Sequence, residues 1–465
     1  MGGGSRSTWR DAEGGPVMRG LEWRWRLGVL VLGSLIALPV VAATSVKPRV
    51  MLIVPFDAST LDREEQWIGE AIAQVLSLGL AQHPAFVEIE RSRLRAYGQP
   101  EVWGDAALGQ AARAVRADTA LFGTVTRRST ELVIQPRLLD VKATGADTVQ
   151  LEPFAAPEGE QLAKIAGVPV AYARTLKVSL TPAETARIER AAMPTRSLRA
   201  FELFARGAIA LQRGTQEGNE TAVDLLARAI EADPNFVVAH YTLGAVHQML
   251  GNRWKAAAQF RASTQLDAAY PEPFKALGDL FLAAPRRLFD QAVEAYNKAI
   301  ELRPFYADAH VGLGDARAAK GEIDAAIVAY QKALVFNPVN PKVYLSLGKI
   351  YYAEKGLYYE SVNAYKKAIE LDPQLVEARM GLGEVYEEKG LYKEAVDEYK
   401  RVIEVDSAHT GALYNMALVY EKIDPKEAMA HWERYIQLAS PLQSEKDWVD
   451  VARQHLRKLK GQIKE

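Results

Sequence analysis

The 465-residue sequence contains no cysteine. That absence excludes disulfides, thiol nucleophiles, iron–sulfur clusters, cysteine-ligated zinc and lipid attachment of the bacterial lipoprotein kind. An excess of one charge is missing too: 57 Lys and Arg face 58 Asp and Glu. Nothing in that balance attracts a polyanion, so no nucleic-acid partner is expected. Catalytic signatures are lacking as well. There is no H-E-x-x-H, no G-x-S-x-G, no phosphate loop and no kinase motif set, so no catalytic residue is assigned. Long uncharged apolar runs are absent, with one exception.

That run, "LGVLVLGSLIALPVVAA" at residues 27–43, follows the basic stretch "MRGLEWRWR" and ends in small residues. Basic, then apolar, then small is the order of a secretory signal, and the run's length borders on that of a spanning helix. The expectation is an exported protein, periplasmic or envelope-associated, with cleavage near Ala42 or Ala43. Left uncleaved, residues 27–43 would anchor it in the cytoplasmic membrane, the only membrane contact expected. The signal-like pattern begins at Met18, an alternative start to Met1.

What is abundant is repetition. Aligned on glycine, "HYTLGAVHQMLGN", "FKALGDLFLA", "HVGLGDARAAKGE", "YLSLGKIYYAEKG" and "RMGLGEVYEEKG" place Gly244, Gly278, Gly314, Gly348 and Gly383 in phase, and "LYNMALVYEKID" continues with Ala417. The successive spacings are 34, 36, 34, 35 and 34 residues. Pairs such as Leu277 and Phe281, or Ala292, Tyr296 and Ala299, share one helical face. A glycine inside a helix costs stability by propensity, which makes sense where a neighbouring helix passes too close for a side chain. Pro304, Pro338 and Pro373 stop the second helix of their units. Each helix pair carries an apolar face that it cannot bury alone, so stacking stabilises it.

A 34-residue period with Leu-Gly, a following aromatic, then Ala, aromatic, Ala and Pro resembles the tetratricopeptide repeat family. The resemblance implies an all-α solenoid, a right-handed superhelix of helix pairs with a concave groove. Seven units are expected across residues 198–442, the first degenerate, followed by one amphipathic capping helix at 443–465. In that family, positions two and nine of each repeat tend to face the groove. Here they are Glu272 and Asp279, Asp308 and Asp315, Lys342 and Lys349, and Glu377 and Glu384, with Glu387 and Glu388 nearby. The carboxylate clamp that chaperone-binding members build from Lys, Asn and Arg is not matched by these mostly acidic positions. A basic or mixed-charge protein or peptide is the expected occupant, unless these residues are simply exposed polar positions.

Residues 47–195 read as a different fold. "RVMLIVPFD" is a buried strand, "REEQWIGEAIAQVLSLGLAQHP" an amphipathic helix, "FVEIERSRL" a second strand and "DAALGQAARAVRA" a second helix. "TALFGTVTRRSTELVIQPRLLDV" reads as a hairpin with strands at 122–126 and 132–138, and "EGEQLAKIAGVPVAYARTLKVSL" as one last helix. This is an α/β layer domain of about 140 residues. The stretches "VPFDASTLDREEQWIGEAIAQVL", "ERSRL", "ALFGTVTR", "RLLDVKATG" and "PTRSLRAFELFARG" resemble the amino-terminal-domain family of TolB and related curli-assembly and flagellar outer-membrane proteins. The resemblance covers residues 50–207 and implies a non-catalytic domain associated with envelope assemblies. The hairpins and lipidated cysteine of the curli pore are not found, so no pore role follows.

Seven histidines are spread through the chain, with His240 and His310 at one repeat position, so no metal and no cofactor is expected. Asp57, Asp62 and Glu64 precede the first helix, where carboxylates favour the dipole. Two functions follow: an exported adaptor with a partner in the groove, or a ligand-sensing regulator whose α/β domain binds a small molecule and whose repeats relay it.

Overall fold

The computed structural model describes residues 47–97, 103–142 and 145–462. The expected signal or anchor at 27–43, its cleavage site and the start at Met18 lie outside the described residues.

The first layer is a mixed sheet. Its strands are β1 (Arg49–Ile53), β2 (Phe86–Glu88), β3 (Thr119–Arg128), β4 (Glu131–Lys142), β5 (Gly145–Gln150) and β6 (Phe154–Ala156). They lie in the order β2-β1-β3-β4-β5, with β6 pairing to β4. β1 runs parallel to both β2 and β3, and the remaining pairs are antiparallel. Helix α1 (Trp67–Leu80) covers one face and α2 (Asp105–Ala114) the other. The unbroken apolar run of β1 follows from this sandwich: Met51 and Ile53 pack into the core that holds α1, while Val50 and Leu52 pack into the core that holds α2.

Three sequence expectations need correcting here. The second strand spans only Phe86–Glu88, and Arg91–Tyr97 forms a 3-10 helix instead. The last helix of this domain is broken into α3 (Gln161–Ala166) and α4 (Val168–Thr175) at Gly167. Pro169, at the second position of α4, cannot donate to the preceding turn, which separates the two. The expected hairpin extends over all of β3 and β4, turning at Ser129 with a positive φ of 54°. A further helix, α5 (Pro182–Ala192), starts on a capping box in which Thr181 and Glu184 satisfy each other's backbone donors.

Seven helical hairpins follow, each a first and a second helix: α6 (Leu198–Gln212) and α7 (Gln216–Ala232), α8 (Val237–Met249) and α9 (Arg253–Leu266), α10 (Glu272–Leu282) and α11 (Phe289–Leu302), α12 (Ala307–Ala319) and α13 (Ile323–Phe336), α14 (Pro341–Ala353) and α15 (Tyr358–Leu371), α16 (Val376–Glu388) and α17 (Tyr392–Val405), α18 (Thr410–Ile423) and α19 (Pro425–Ala439). Helix α20 (Lys446–Gln462) closes the stack, burying Val449, Ala452 and Leu459. Its His455 Nδ1 lies 2.7 Å from Glu421, which also accepts from Trp432 Nε1 at 2.7 Å. Among the described residues no helix is long and apolar enough to cross a membrane.

The in-phase glycines have a concrete role. A Cβ on Gly278 would stand 2.7 Å from the ring of Tyr296, and one on Gly312 would stand 2.3 Å from it. One fully buried tyrosine of a second helix is thus clasped between the first helix of its own hairpin and the first helix of the next. The aromatic fills the interhelical space and the absent side chains admit it.

The α/β layer is not a detached domain. Its core continues through Trp67, in edge-to-face contact with Phe201 at 6.4 Å, into Phe204, Leu226 and Phe236 of the first hairpins. The carboxylate of Glu70, 2% exposed, accepts from Arg91 at 2.8 Å, Gln74 at 2.6 Å and Gln212 of α6 at 2.7 Å. A buried charge met by three donors is the condition under which such burial is tolerated.

Candidate functional site

Successive first helices approach one another more closely than successive second helices do, with α8, α10 and α12 in contact and α14 against α16. That wedge places the first helices on the inner wall of the stack. Glu272 and Asp279 lie on α10, Asp308 and Asp315 on α12, Lys342 and Lys349 on α14, and Glu377 and Glu384 on α16. Each pair is seven residues apart, two helical turns, and so shares one face of its helix.

These eight side chains are not equivalent. Lys342, Lys349, Glu377 and Glu384 are exposed. Glu272 is already engaged: it takes a 2.8 Å ion pair from Arg303, whose side chain is 7% exposed. Asp279 accepts from Lys275 at 2.8 Å and from the Tyr296 hydroxyl at 2.7 Å. Asp315 accepts from the Tyr330 hydroxyl at 2.6 Å. Asp308 keeps solvent access but is ringed by protein where the α/β layer meets the repeats. That surrounding mass raises its pKa, Glu90 and Asp279 add to the rise, and Lys275 and Lys342 oppose it.

The wall therefore carries an acidic stretch on α10 and α12, a basic one on α14 and a second acidic one on α16. Crowding by nearby protein raises the pKa of Glu384 despite its exposure, with Glu387 adding and Lys349 opposing. Burial also raises Glu387, which the hydrogen bond from Tyr399 at 3.2 Å partly offsets. Burial opposes the charge of Lys275, but Asp279 and Asp308 outweigh it and hold its pKa up.

Sequence reasoning missed the tyrosine hydroxyls. Tyr296, Tyr330 and Tyr399 were legible as core aromatics, yet each sends its hydroxyl through the stack to an inner-wall acid. The signal was an acid one residue after the helix glycine, as in Gly278-Asp279 and Gly314-Asp315. It also missed Lys275, and Arg303 at the end of α11. His240 and His310 do play the same part in their hairpins. Their Nε2 atoms lie 3.3 and 2.9 Å from the carbonyls of Pro234 and Pro304, with Arg379 doing likewise at Pro373. Asp57 accepts from the Ser59 backbone at 2.9 Å, a turn contact. Among the described residues no three His, Asp or Glu side chains converge as metal ligands.

The α/β layer rests on the turns between hairpins. Arg93 donates to the Leu371 carbonyl at 3.0 Å and Arg116 to that of Glu370 at 3.4 Å, while Val339 packs against the core of β1 and α2.

Comparison with known proteins finds matches to the repeat hairpins. The family described as "TPR repeat" matches residues 289–321, 314–354 and 352–390. The family described as "Tetratricopeptide repeat" matches residues 376–409 and 411–439. The chain is 34% identical over 116 residues to the small glutamine-rich tetratricopeptide repeat-containing protein 2 of Mycosarcoma maydis, covering 25% of this chain and 32% of that protein. It is 24% identical over 172 residues to superkiller protein 3 of Schizosaccharomyces pombe, covering 36% of this chain and 12% of that protein. The chain thus spans about a third or less of the length of these curated relatives. Among solved structures, YrrB, described as "a TPR protein with an unusual peptide-binding site", is 23% identical, covering 43% of this chain and 100% of that one with a TM-score of 0.36. MamA is 28% identical, covering 37% of this chain and 92% of that one with a TM-score of 0.32. The hairpins of residues 289–439 are tetratricopeptide repeats.

Proposed function

We propose that the protein is a non-catalytic, exported adaptor of a bacterial cell envelope. Its inner repeat wall holds an extended segment of mixed charge, with basic ends and an acidic centre. The α/β layer, which resembles the TolB amino-terminal domain, meets an envelope component, and residues 27–43 direct export or anchor the chain. One observation carries the groove assignment: acids at two-turn spacing on α10, α12 and α16 flank Lys342 and Lys349 on α14. Asp279 and Asp315 are fixed by buried tyrosine hydroxyls, so part of this wall is ordered before any partner arrives. Preorganised charges lose less side-chain entropy on binding.

The test is binding of a short synthetic peptide with Lys and Arg at its ends and Glu at its centre, against its charge-inverted counterpart, measured by fluorescence anisotropy. Glu377→Lys and Glu384→Lys change exposed side chains, so the fold survives. The double variant should weaken the first peptide by roughly tenfold or more, about 1.4 kcal/mol, and strengthen the inverted one. Unchanged affinity for both peptides defeats the groove assignment.

A further inference from the structure

A second candidate site shares Asp308 with the inner wall but does not depend on the groove reading. Between the α/β layer and the turns after α11 and α13 is a cleft of about 170 Å³. Met51, Ile53 and Leu80 line it from the α/β side, and Phe305 and Phe336 from the repeat side. Arg303 is part of its wall and only 6% exposed.

The Arg303 guanidinium is half used. One terminal nitrogen holds Glu272 at 2.8 Å, while the other has no hydrogen-bond partner among the described residues; neither has the second oxygen of Glu272. A buried guanidinium paired with a carboxylate ordinarily closes both arms of the fork. Leaving a buried charged donor unmet is costly. One ordered water would relieve the donor but would leave most of the cleft empty. An apolar engineered cavity of about 150 Å³ stays dry and accepts benzene.

The other charged side chains lining the cleft are acids, alongside the neutral Ser77, Tyr306 and Asn337. Asp308 lines it, and so does Glu88, whose carboxylate accepts from the Ser77 hydroxyl at 2.8 Å. A simple anion would meet Arg303 but be repelled by Asp308 and Glu88. A simple cation would meet the acids but leave the guanidinium unmet. We propose that the cleft binds a small zwitterion with an apolar body, an apolar α-amino acid. Its carboxylate meets the free arm of Arg303, its ammonium faces Asp308 and Glu88, and its side chain lies among Met51, Leu80, Phe305 and Phe336. Burial raises the pKa of both acids, although Arg91 opposes the rise at Glu88 and Lys275 and Lys342 oppose it at Asp308. Because the cleft is walled by both the α/β layer and the repeats, its ligand ties the two together.

The experiment is isothermal titration calorimetry and thermal shift on the full chain with L-leucine and L-phenylalanine. The controls are 4-methylpentanoate, which lacks the ammonium, isoamylamine, which lacks the carboxylate, and L-glutamate, which lacks the apolar body. Saturable binding of leucine or phenylalanine with a rise in melting temperature, weakened at least tenfold for each control, supports the site. Asp308→Asn changes a solvent-accessible side chain and Arg303→Gln a buried one, and each should weaken leucine binding at least tenfold. Should Arg303→Gln fail to fold, Asp308→Asn and the three controls decide. No saturable binding to either amino acid at millimolar concentration, equal binding of glutamate, or undiminished binding by Asp308→Asn overturns the proposal.

Discussion

The Tyr296 hydroxyl, carried on a second helix, donates 2.7 Å to Asp279 on the inner wall, passing between Gly278 and Gly312. Core packing and wall charge are joined in one side chain. The ring fills the space between hairpins, and its polar tip orients an acid of the inner wall. Tyr330 and Asp315 repeat the arrangement at 2.6 Å one hairpin later.

Tyr296→Phe keeps the ring and removes the tip. A hydrogen bond to a charged acceptor contributes about 1.5–3 kcal/mol, less where the acceptor retains water and a lysine, so a loss of about 1 kcal/mol is expected in urea unfolding. The slope of the transition should not change. A cost near zero would mean that the hydroxyl does not hold the acid.

Gly312→Ala should be more damaging than Gly278→Ala. Alanine gains about 1 kcal/mol of helix propensity at either position. The new methyl at 312 would stand 2.3 Å from a ring that is fully buried, against 2.7 Å at 278. Overpacking of this kind costs about 1–3 kcal/mol, so Gly312→Ala is expected to be net destabilising by thermal melting. A stabilised Gly312→Ala would show that the ring has room to move.

The turns inside five hairpins use Gly214, Gly251, Gly321, Gly356 and Gly390 at φ between 62° and 81°, whereas the third hairpin places Arg287 at φ 52°. The left-handed conformation costs an L-residue roughly 1–2 kcal/mol, and glycine returns part of that as unfolded-chain entropy. Arg287→Gly should therefore stabilise the protein by up to about 1 kcal/mol, an uncommon sign for a substitution to glycine. Calorimetric melting checks the sign directly.

Glu88 gives a pH dependence. Burial raises its pKa from 4.5 to about 6, against the opposing influence of Arg91 and the Ser77 hydrogen bond. The folded chain then holds a proton that the unfolded chain releases, so stability falls as pH rises from about 4.5 to about 6 and stays lower above. A shift of this size corresponds to at most about 2 kcal/mol. Glu88→Gln should remove that decline, so stability relative to the wild type should increase across this window. Parallel curves for the two proteins would contradict the assignment.

Much of the array is written locally in the chain. The glycine-aromatic phase, the prolines after the second helices and the apolar face of each hairpin each reflect a contact within about 35 residues. The α/β layers were legible from composition: after Arg49, β1 is apolar because both its faces are covered. What stayed hidden depends on distant partners. Arg93 and Leu371 are 278 residues apart, and no periodicity announces their contact. Glu272 looked like its neighbours on the wall, and only the structure places Arg303 against it. The strands β5 and β6 are short and gain their place by pairing with β4 rather than by a strong pattern of their own.

Carboxylate footprinting by carbodiimide labelling and mass spectrometry, with and without the basic-ended peptide, tests the inner wall most directly. The expected result is reduced labelling of Asp315, Glu377 and Glu384 on the first helices, with Glu360 and Glu394 on the exposed second-helix surface unchanged. Protection of Glu360 and Glu394 while Glu377 and Glu384 stay fully labelled would place the partner on the opposite surface and contradict the account.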